Sequence, residues 1–501
     1  MQKQELIING NDLTIDKIVK VAFSPDIFVK ISPGAKEKIQ ASRKVVDDLV
    51  ARGEVVYGLT TGFGEFRNKS INFQQAEELQ NNLIRSHAIG VGRPFSLSET
   101  RTAILIRANS LTKGYSGVRL IFIEKLLELL NKNIYPYIPC QGSVGASGDL
   151  APLSHLGLVM MGEGEVIENQ KRVATPNIFE KYNFQPIKFS YKEGLALNNG
   201  TSFMTALAVL NLKRAKNIIK WSDRILATSL EALQGTLVAY EERVHKLRPH
   251  PGQIKTAFNV RSLCQNSQIV GPGNNYPDVQ DSYSLRCSPQ VHGAVKDSFE
   301  YAKKIVEIEI NSVTDNPLIF SDTGEAVSAG HFHGEPIAFA MENLGIAIAE
   351  LGTISERRTA KMLDPSTNDG LPAFLIPKQK GGLCNGYMIA QYTAAALVAE
   401  NKVLSHPAAV DSIPTSANQE DHVSFAPISA RKCKKIINHV ENILAIELMC
   451  AVQGIDFRRP AKPGFGVQQI YAKIRTQIPF LDNDRILYTD LEKVVKIIRS
   501  N

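Results

Sequence analysis

The chain has 501 residues, 44% of them hydrophobic and 21% charged, and a formal net charge of +7 at pH 7. This composition is typical of a soluble globular protein with two or three domains, and the scattered Lys and Arg residues argue against a nucleic-acid groove. The sequence begins without a basic and apolar leader, and no stretch approaches 18 uncharged apolar residues. We therefore expect a cytoplasmic protein without a membrane span. The six cysteines are far apart, which predicts free thiols.

Short elements interrupted by Gly and Pro are predicted up to about residue 200, and long helices after it. From Thr201 to about Tyr240 there is no proline and apolar residues recur every three or four positions, which predicts a helix about 60 Å long. A second long helix is predicted from Pro336 to just before Pro365. Two further helices are predicted, over residues 385–404 and 428–453.

The fold class that follows is mainly α, because few segments alternate with a period of two. We expect a mixed helical and loop domain over residues 1–200, followed by a bundle of long helices over residues 201–501. Helices of this length bury their apolar stripes against one another, within one chain or between chains.

The most unusual stretch is QGSVGASGDLAPLSH, residues 141–155. Its simplest interpretation is a helix N-terminus, with Ser147 or Asp149 as N-cap and Pro152 in the first turn. A phosphate-binding loop is disfavoured, because the glycine spacing matches no phosphate motif, no Lys-Ser/Thr pair follows and no βαβ unit surrounds it.

A third interpretation depends on the order Ala146-Ser147-Gly148. In a tightly folded loop, the amide nitrogen of Gly148 can attack the carbonyl carbon of Ala146 and close a five-membered ring. Loss of two waters then leaves 4-methylidene-imidazol-5-one, a strong electrophile made from the backbone. Small residues leave the backbone free to reach the conformation that this reaction needs.

Seven other segments accompany this loop. They are YGLTTGFG (57–64), RSHAIGVG (85–92), LNNGT (197–201), QDSYSLRCSPQ (280–290), DNPL (315–318), HFHGEP (331–336) and TSANQEDHVS (415–424). Together with the loop, and in this order, they resemble the aromatic amino-acid ammonia-lyases over most of the chain. The resemblance implies that Ala146, Ser147 and Gly148 form the imidazolone prosthetic group, with no external cofactor, and that Asp149 holds the loop compressed.

Tyr57 is the residue that the resemblance assigns to removing the β-proton of the substrate. A free phenol has a pKa near 10 and is ionised about one part in a thousand at pH 7. Lowering this pKa enough for a base at neutral pH takes roughly 3–4 kcal/mol of differential stabilisation. We expect this stabilisation from Arg286 and from helix N-termini that face the site.

Other residues are expected to bind the substrate and the prosthetic group. Arg286 suits a bidentate clamp on the substrate carboxylate, and Tyr283, three residues earlier, is expected on the same helix face or loop. The resemblance places Tyr283 beside the electrophile. It also implies that Asn199 hydrogen-bonds to the imidazolone or the departing amine, that Phe332 packs near the prosthetic group, and that Gln280 is a polar wall of the pocket.

Two positions bear on the substrate. His87 falls where members of the family discriminate among aromatic rings. Glu420 can accept a hydrogen bond from an imidazole N–H, whereas beside a bare phenyl ring it would be desolvated without a donor. We therefore predict non-oxidative deamination of L-histidine to urocanate and ammonia. Asn198 and His331 depart from the family's pattern, so a tyrosine or phenylalanine ammonia-lyase or aminomutase of the same family is the alternative.

Other classes of function are weaker interpretations. We expect no metal, because no carboxylate or cysteine completes a familiar zinc spacing with His331 and His333. A non-catalytic helical scaffold would explain the long helices but not the loop segments, and a lyase of the fumarase/aspartase type would use no imidazolone. A chain lighter by two waters would exclude both. The resemblance also implies a homotetramer whose active sites are shared between subunits.

Overall fold

The computed structural model describes residues 4–69, 71, 75–270 and 279–500. Helices make up 58% of the structure and strands 8%, which confirms the mainly α fold class. The helices are α1 (Ile15–Phe23), α2 (Pro33–Ala51), α3 (Ala76–His87), α4 (Leu97–Thr112), α5 (Leu120–Asn131), α6 (Leu150–Met160), α7 (Thr175–Tyr182), α8 (Glu193–Asn198), α9 (Ser202–Ala232), α10 (Glu242–Lys246), α11 (Pro251–Leu263), α12 (Tyr283–Arg286), α13 (Ser288–Glu309), α14 (Glu335–Leu363), α15 (Met388–Leu404), α16 (Ala426–Phe457), α17 (Phe465–Arg475) and α18 (Tyr488–Arg499).

In the described part of the chain, the strands form four sheets of two strands each. They are β1 (Glu5–Ile8), β2 (Phe28–Ile31), β3 (Val91–Pro94), β4 (Pro139–Gln141), β5 (Glu165–Glu168), β6 (Lys171–Ala174), β7 (Leu318–Phe320) and β8 (Glu325–Val327). β1 pairs with β2 in parallel, and the other three pairs are antiparallel, with an irregular register between β3 and β4. Strands are therefore a minor part of the fold, as predicted.

The chain divides into two compact units, each built from three segments. Unit 1 comprises Met1–Leu210, Lys303–Glu342 and Pro407–Arg431, and unit 2 comprises Asn211–Ala302, Asn343–His406 and Lys432–Asn501. Four of the five boundaries fall inside α9, α13, α14 and α16, and the fifth, between His406 and Pro407, follows the end of α15. The division into domains 1–200 and 201–501 stays a prediction, because compactness does not test which segments fold independently.

The long helices follow the predicted pattern with one correction. α14, α15 and α16 lie within a few residues of their predicted bounds. The helix predicted to reach Tyr240 ends at Ala232, so α9 has 31 residues and is about 46 Å long. It ends there because Gln234 has a left-handed φ of 50°, and Gly235 N–H turns back to the Leu230 carbonyl at 2.9 Å.

Among the described residues, α14 is long and apolar enough by composition to cross a membrane. Within the structure, 61% of its most apolar window is buried, as in the core helix of a globular protein.

Candidate active site

The loop between β4 and α6 has a backbone that requires glycine. Gly142, Gly145 and Gly148 have φ values of 120°, 72° and 76°, which side chains disfavour. At Gly148 a Cβ atom would collide with the backbone of Gly200, and the next amide, Asp149 N–H, donates to the Gly200 carbonyl at 2.7 Å. The loop is therefore pressed against the segment that precedes α9.

Asp149 precedes α6 but makes no side-chain hydrogen bond to the first turn of that helix. Its Oδ2 atom instead accepts from the N–H groups of Phe203 at 2.8 Å and Met204 at 2.9 Å, in the first turn of α9. Asp149 therefore occupies the N-cap position of α6, as the sequence predicted, but its side chain caps α9 instead. A fully buried carboxylate needs donors, and the N-terminus of α9 supplies them. Burial still raises the pKa of Asp149, to about 7.

Two distant segments of unit 1 hold the other side of the loop. The Gly145 carbonyl accepts from Ser424 Oγ at 2.9 Å and from Gly334 N–H at 3.1 Å. Phe425 N–H donates to the Val144 carbonyl at 2.8 Å. The segments around residues 334 and 424 therefore determine where the loop lies.

Ser147 is in contact with two of the predicted site residues. Asn199 Nδ2 donates to the Ser147 carbonyl at 2.7 Å, and the Ser147 hydroxyl donates to Glu420 Oε1. The other carboxylate oxygen of Glu420 accepts from Thr415 Oγ1 at 2.8 Å. Ser143 Oγ donates to the Gly148 carbonyl at 3.3 Å. Polar side chains thus surround the backbone of the Ala-Ser-Gly triplet.

Arg107, on α4, binds the backbone of Asn199. This residue was not predicted from the sequence. Its guanidinium is fully buried, and Nη2 donates to the carbonyls of Ala196 and, at 3.0 Å, of Asn199. Burial lowers the pKa of Arg107 to about 10, opposed by the charges of Asp315 and Asp149, so it stays protonated at pH 7. A charged residue inside the apolar run AILIRANSL was the available signal.

The surroundings of Tyr57 contradict one expectation. Burial raises the pKa of Tyr57 and the Glu420 charge raises it further, while the Gly64 N–H, 3.4 Å from the phenol oxygen, and the Arg67 charge lower it. The net shift is upward. Within unit 1, desolvation therefore outweighs the Gly64 N–H and the Arg67 charge, and Arg286, which was expected to stabilise the phenolate, is not among the groups that lower the pKa.

His87, the last residue of α3, lies beside the loop cavity. Burial lowers its pKa, whereas a hydrogen bond to the Leu83 carbonyl and the charge of Glu420 raise it. The cavity is about 230 Å³ and is lined by Ser86, His87, Ile89, Gly142, Ser143, Val144, Ala146, Ser147, Gly148, Leu150 and Ala151. A larger cavity of about 300 Å³, beside Tyr137 and His155, contains none of the predicted site residues.

Eight of the predicted site residues belong to unit 1. They are Tyr57, His87, Ala146, Ser147, Gly148, Asn199, Phe332 and Glu420. Phe332 is half-buried in a turn that His333 N–H closes on the Gly330 carbonyl at 3.0 Å. Its neighbour Gly334 is the residue that binds the loop at Gly145.

Gln280, Tyr283 and Arg286 belong to unit 2. Gln280 is exposed, and Tyr283 is 69% exposed at the start of α12. The Arg286 guanidinium lies over the Tyr283 ring, 4.7 Å from its centroid, which confirms that the two side chains share a face. Arg286 Nε is buried and has no hydrogen-bond partner among the described residues.

Comparisons with known proteins agree with this geometry. A family model described as aromatic amino acid lyase matches residues 13–476. The histidine ammonia-lyase of Caldanaerobacter subterraneus subsp. tengcongensis is 50% identical over 99% of this chain and 97% of that protein. The crystal structure of histidine ammonia-lyase from Trypanosoma cruzi has a TM-score of 0.92 at 42% identity, covering 99% of this chain and 94% of that one.

A tyrosine aminomutase from Streptomyces globisporus has a similar structure, with a TM-score of 0.93 at 36% identity, covering 99% of this chain and 97% of that one. The resemblance found in the sequence segments therefore extends to the whole fold. On these matches, the chain belongs to the aromatic amino acid lyase family.

Proposed function

We propose that this chain is a carbon–nitrogen lyase that converts L-histidine to urocanate and ammonia without oxidation. The observation that carries the proposal is Glu420, whose carboxylate touches the hydroxyl of Ser147. A carboxylate here can accept a hydrogen bond from an imidazole N–H. The relatives named histidine ammonia-lyase, at 46–50% identity over nearly the full chain, support this substrate.

The described residues fit a 4-methylidene-imidazol-5-one made from Ala146, Ser147 and Gly148, with no external cofactor. Cyclisation needs a compressed backbone, and the left-handed Gly148 lies directly against the backbone of Gly200. The Ser147 carbonyl would be the ring carbonyl, and Asn199 Nδ2 already donates to its oxygen. When formed, this group supplies an electrophile that makes the substrate amine a better leaving group.

Loss of the Ser147 hydroxyl also changes Glu420. That hydroxyl donates a hydrogen bond to Glu420 Oε1, while Thr415 Oγ1 donates to the other carboxylate oxygen. Once Ser147 loses its hydroxyl, Oε1 has no donor from the loop. An imidazole N–H of the substrate can then take this position, so maturation of the loop and binding of histidine depend on the same carboxylate oxygen.

Tyr57 takes the β-proton in this proposal. Since burial raises its pKa, the phenolate is a small fraction of the enzyme at neutral pH, and this fraction increases about tenfold per pH unit. The phenol accepts a hydrogen bond from Gly64 N–H, which orients the oxygen. Activity should therefore rise with pH until Tyr57 is ionised.

The remaining residues bind and orient the substrate. Arg286 holds the α-carboxylate, and its buried Nε, which has no hydrogen-bond partner among the described residues, can donate to a ligand. We propose that Tyr283 lies beside the electrophile, and that Gln280 and Phe332 are walls of the pocket. His87, beside the cavity, contacts the ring of the substrate.

A tyrosine or phenylalanine substrate is the second candidate. The tyrosine aminomutase of similar structure supports it, as do the departures at Asn198 and His331. Glu420 argues against it, because a phenyl ring offers no donor to a desolvated carboxylate.

We also propose that the chain acts in the cytoplasm as a homotetramer with shared sites, and that it binds neither nucleic acid nor membranes. Large apolar side chains are exposed along α15, with Ile389 at 58%, Tyr392 at 63% and Val403 at 76%. Such side chains are commonly covered by another subunit. The exposure of Tyr283 and Gln280 is consistent with sites that several chains complete.

Two measurements test the proposed function. Intact-mass spectrometry should give a chain lighter by two waters than the sequence. Assays with histidine, tyrosine and phenylalanine should give the highest kcat/KM for histidine, with urocanate as product. A full-mass active chain would contradict the imidazolone, and a preference for tyrosine would contradict the substrate.

A further inference from the structure

Two histidines and a glutamate lie together beside the loop. His333 and Glu335 flank Gly334, and His422 follows Glu420 by two residues. One nitrogen of each imidazole and one oxygen of the Glu335 carboxylate all lie within 4.8 Å of one another. We propose that His333, Glu335 and His422 form a binding site for a divalent transition-metal ion.

The sequence did not indicate this cluster. Glu335, two residues after His333, does not by itself complete a familiar zinc spacing. The third side chain, His422, is 89 residues away along the chain. Only the folding of unit 1 brings it to the pair.

Glu335 provides the observation that calls for a cation. Its Oε2 atom is buried and has no hydrogen-bond partner among the described residues. A buried carboxylate oxygen without a donor has lost its hydration with no compensation. A metal ion coordinated by neutral imidazoles would supply the compensating positive charge.

The hydrogen bonds of His333 leave one ring nitrogen suited to a metal. Nε2 lies 3.3 Å from the backbone carbonyl oxygen of His422, and we assign the ring proton to it because a carbonyl can only accept. Nδ1 then carries a lone pair, and the Glu335 N–H facing it is 3.4 Å away, a long hydrogen bond. Metal-ligating histidines commonly donate their other N–H to a backbone carbonyl in this way.

His422 has the freedom to complete the site. Its side chain is exposed, and its ring lies nearly parallel to that of His333, at 5° with centroids 5.7 Å apart. Metal–nitrogen bonds of about 2.0–2.1 Å in a tetrahedral site place ligand atoms roughly 3.3 Å apart. The His422 ring therefore has to turn toward the other two ligands. Two imidazoles and a carboxylate suit Zn²⁺ and similar divalent ions and leave a position for water.

A bound ion would join two segments that hold the loop. His333 precedes Gly334, whose N–H binds the Gly145 carbonyl, and His422 precedes Ser424, whose hydroxyl binds the same oxygen. Cross-linking these segments would stabilise the folded loop. The proposed ion takes no part in the proposed deamination, so its binding can be tested without an activity assay.

Calorimetric titration of the chelator-treated full chain with Zn²⁺ tests this site. We expect one ion per chain and a higher Tm in excess Zn²⁺. Glu335→Gln and His422→Asn should each weaken binding by about 100-fold or more, since even outer-shell partners contribute 10–100-fold. His331→Asn is the matched control: this neighbouring histidine is exposed and outside the cluster, so its loss should leave the affinity unchanged.

Titration with Co²⁺ separates this site from the free cysteines, because its absorption spectrum reports thiolate ligands. Circular dichroism checks that each variant is folded. Absence of stoichiometric binding, a thiolate spectrum, or equal affinity in the wild type, Glu335→Gln and His422→Asn would overturn the proposal. Equal weakening by His331→Asn would overturn the assignment of the ligands.

Discussion

The loop of unit 1 and helix α12 of unit 2 carry different parts of the proposed chemistry, and the chain surrounds them differently. Around Ser147, side chains of Asn199 and Glu420 make direct hydrogen bonds. On α12, Tyr283 is 69% exposed and Arg286 Nε has no partner among the described residues. In our proposal, the electrophile therefore forms within one compact unit, whereas the side chain proposed to bind the substrate carboxylate belongs to the other unit.

Ser147→Ala should have the largest effect, because it removes the hydroxyl whose loss creates the methylidene carbon. The chain should fold and should not lose the two waters. Its activity should fall by more than about 10⁴-fold. Intact mass and urocanate absorbance measure both effects. Ser143→Ala, which keeps the Ala-Ser-Gly triplet, should still become lighter by two waters. Full turnover by Ser147→Ala would end the imidazolone proposal.

Tyr57→Phe should separate formation of the electrophile from its use. The variant should lose two waters as the wild type does. Its kcat should fall by about 10²–10⁴-fold, because the group that removes the β-proton is missing. Because burial holds the pKa of Tyr57 above its usual value, wild-type kcat/KM should rise with pH from 7 to 10. A flat pH profile, or an unchanged kcat in Tyr57→Phe, would remove Tyr57 from the mechanism.

Arg107→Lys tests whether the compression of the loop depends on buried support. Lysine keeps the charge but cannot reach the carbonyls of Ala196 and Asn199 with one planar fork. A loss of roughly 1.5–3 kcal/mol of hydrogen bonding would slow the loss of two waters about 10–100-fold. Arg101→Lys is the control: Arg101 lies on the same helix, is equally buried, and donates to the Val21 and Leu130 carbonyls. Equal rates in both variants would mean a general loss of stability.

Arg286→Lys tests the role of helix α12 in unit 2. It should lose two waters as the wild type does, because in our proposal α12 takes no part in cyclisation. KM for histidine should rise about 10–100-fold, since an ammonium cannot bind a carboxylate bidentately. Steady-state kinetics with intact mass separates the two effects. A variant that retains both waters would contradict the division of roles between the two regions.

The sequence predicted what depends on local patterns and missed what depends on long-range packing. Apolar periodicity located α14 and α16, and the glycine-rich motif located the loop. The end of α9 was missed because it depends on the left-handed Gln234. The upward shift in the pKa of Tyr57 was missed, because it comes from burial by residues that are distant in the sequence. The cluster at His422 required contacts across tens of residues.

Glu420→Gln should have the smallest effect and decides the substrate. Glutamine keeps the shape and can still accept from Thr415 Oγ1, but it carries no charge. Hydrogen bonds to charged groups contribute roughly 1.5–3 kcal/mol against about 1 for neutral ones. We therefore expect kcat/KM for histidine to fall roughly tenfold.

Since Glu420 also binds the Ser147 hydroxyl, intact mass must first establish that Glu420→Gln has lost both waters. Thr415→Val is the companion variant, because it removes one donor to the carboxylate and leaves its charge in place. Any activity on phenylalanine should suffer less in Glu420→Gln, since that ring has no N–H to bind. Equal losses on histidine and phenylalanine would show that Glu420 shapes the site without recognising the imidazole, and a fall far beyond tenfold would show that it also moves protons.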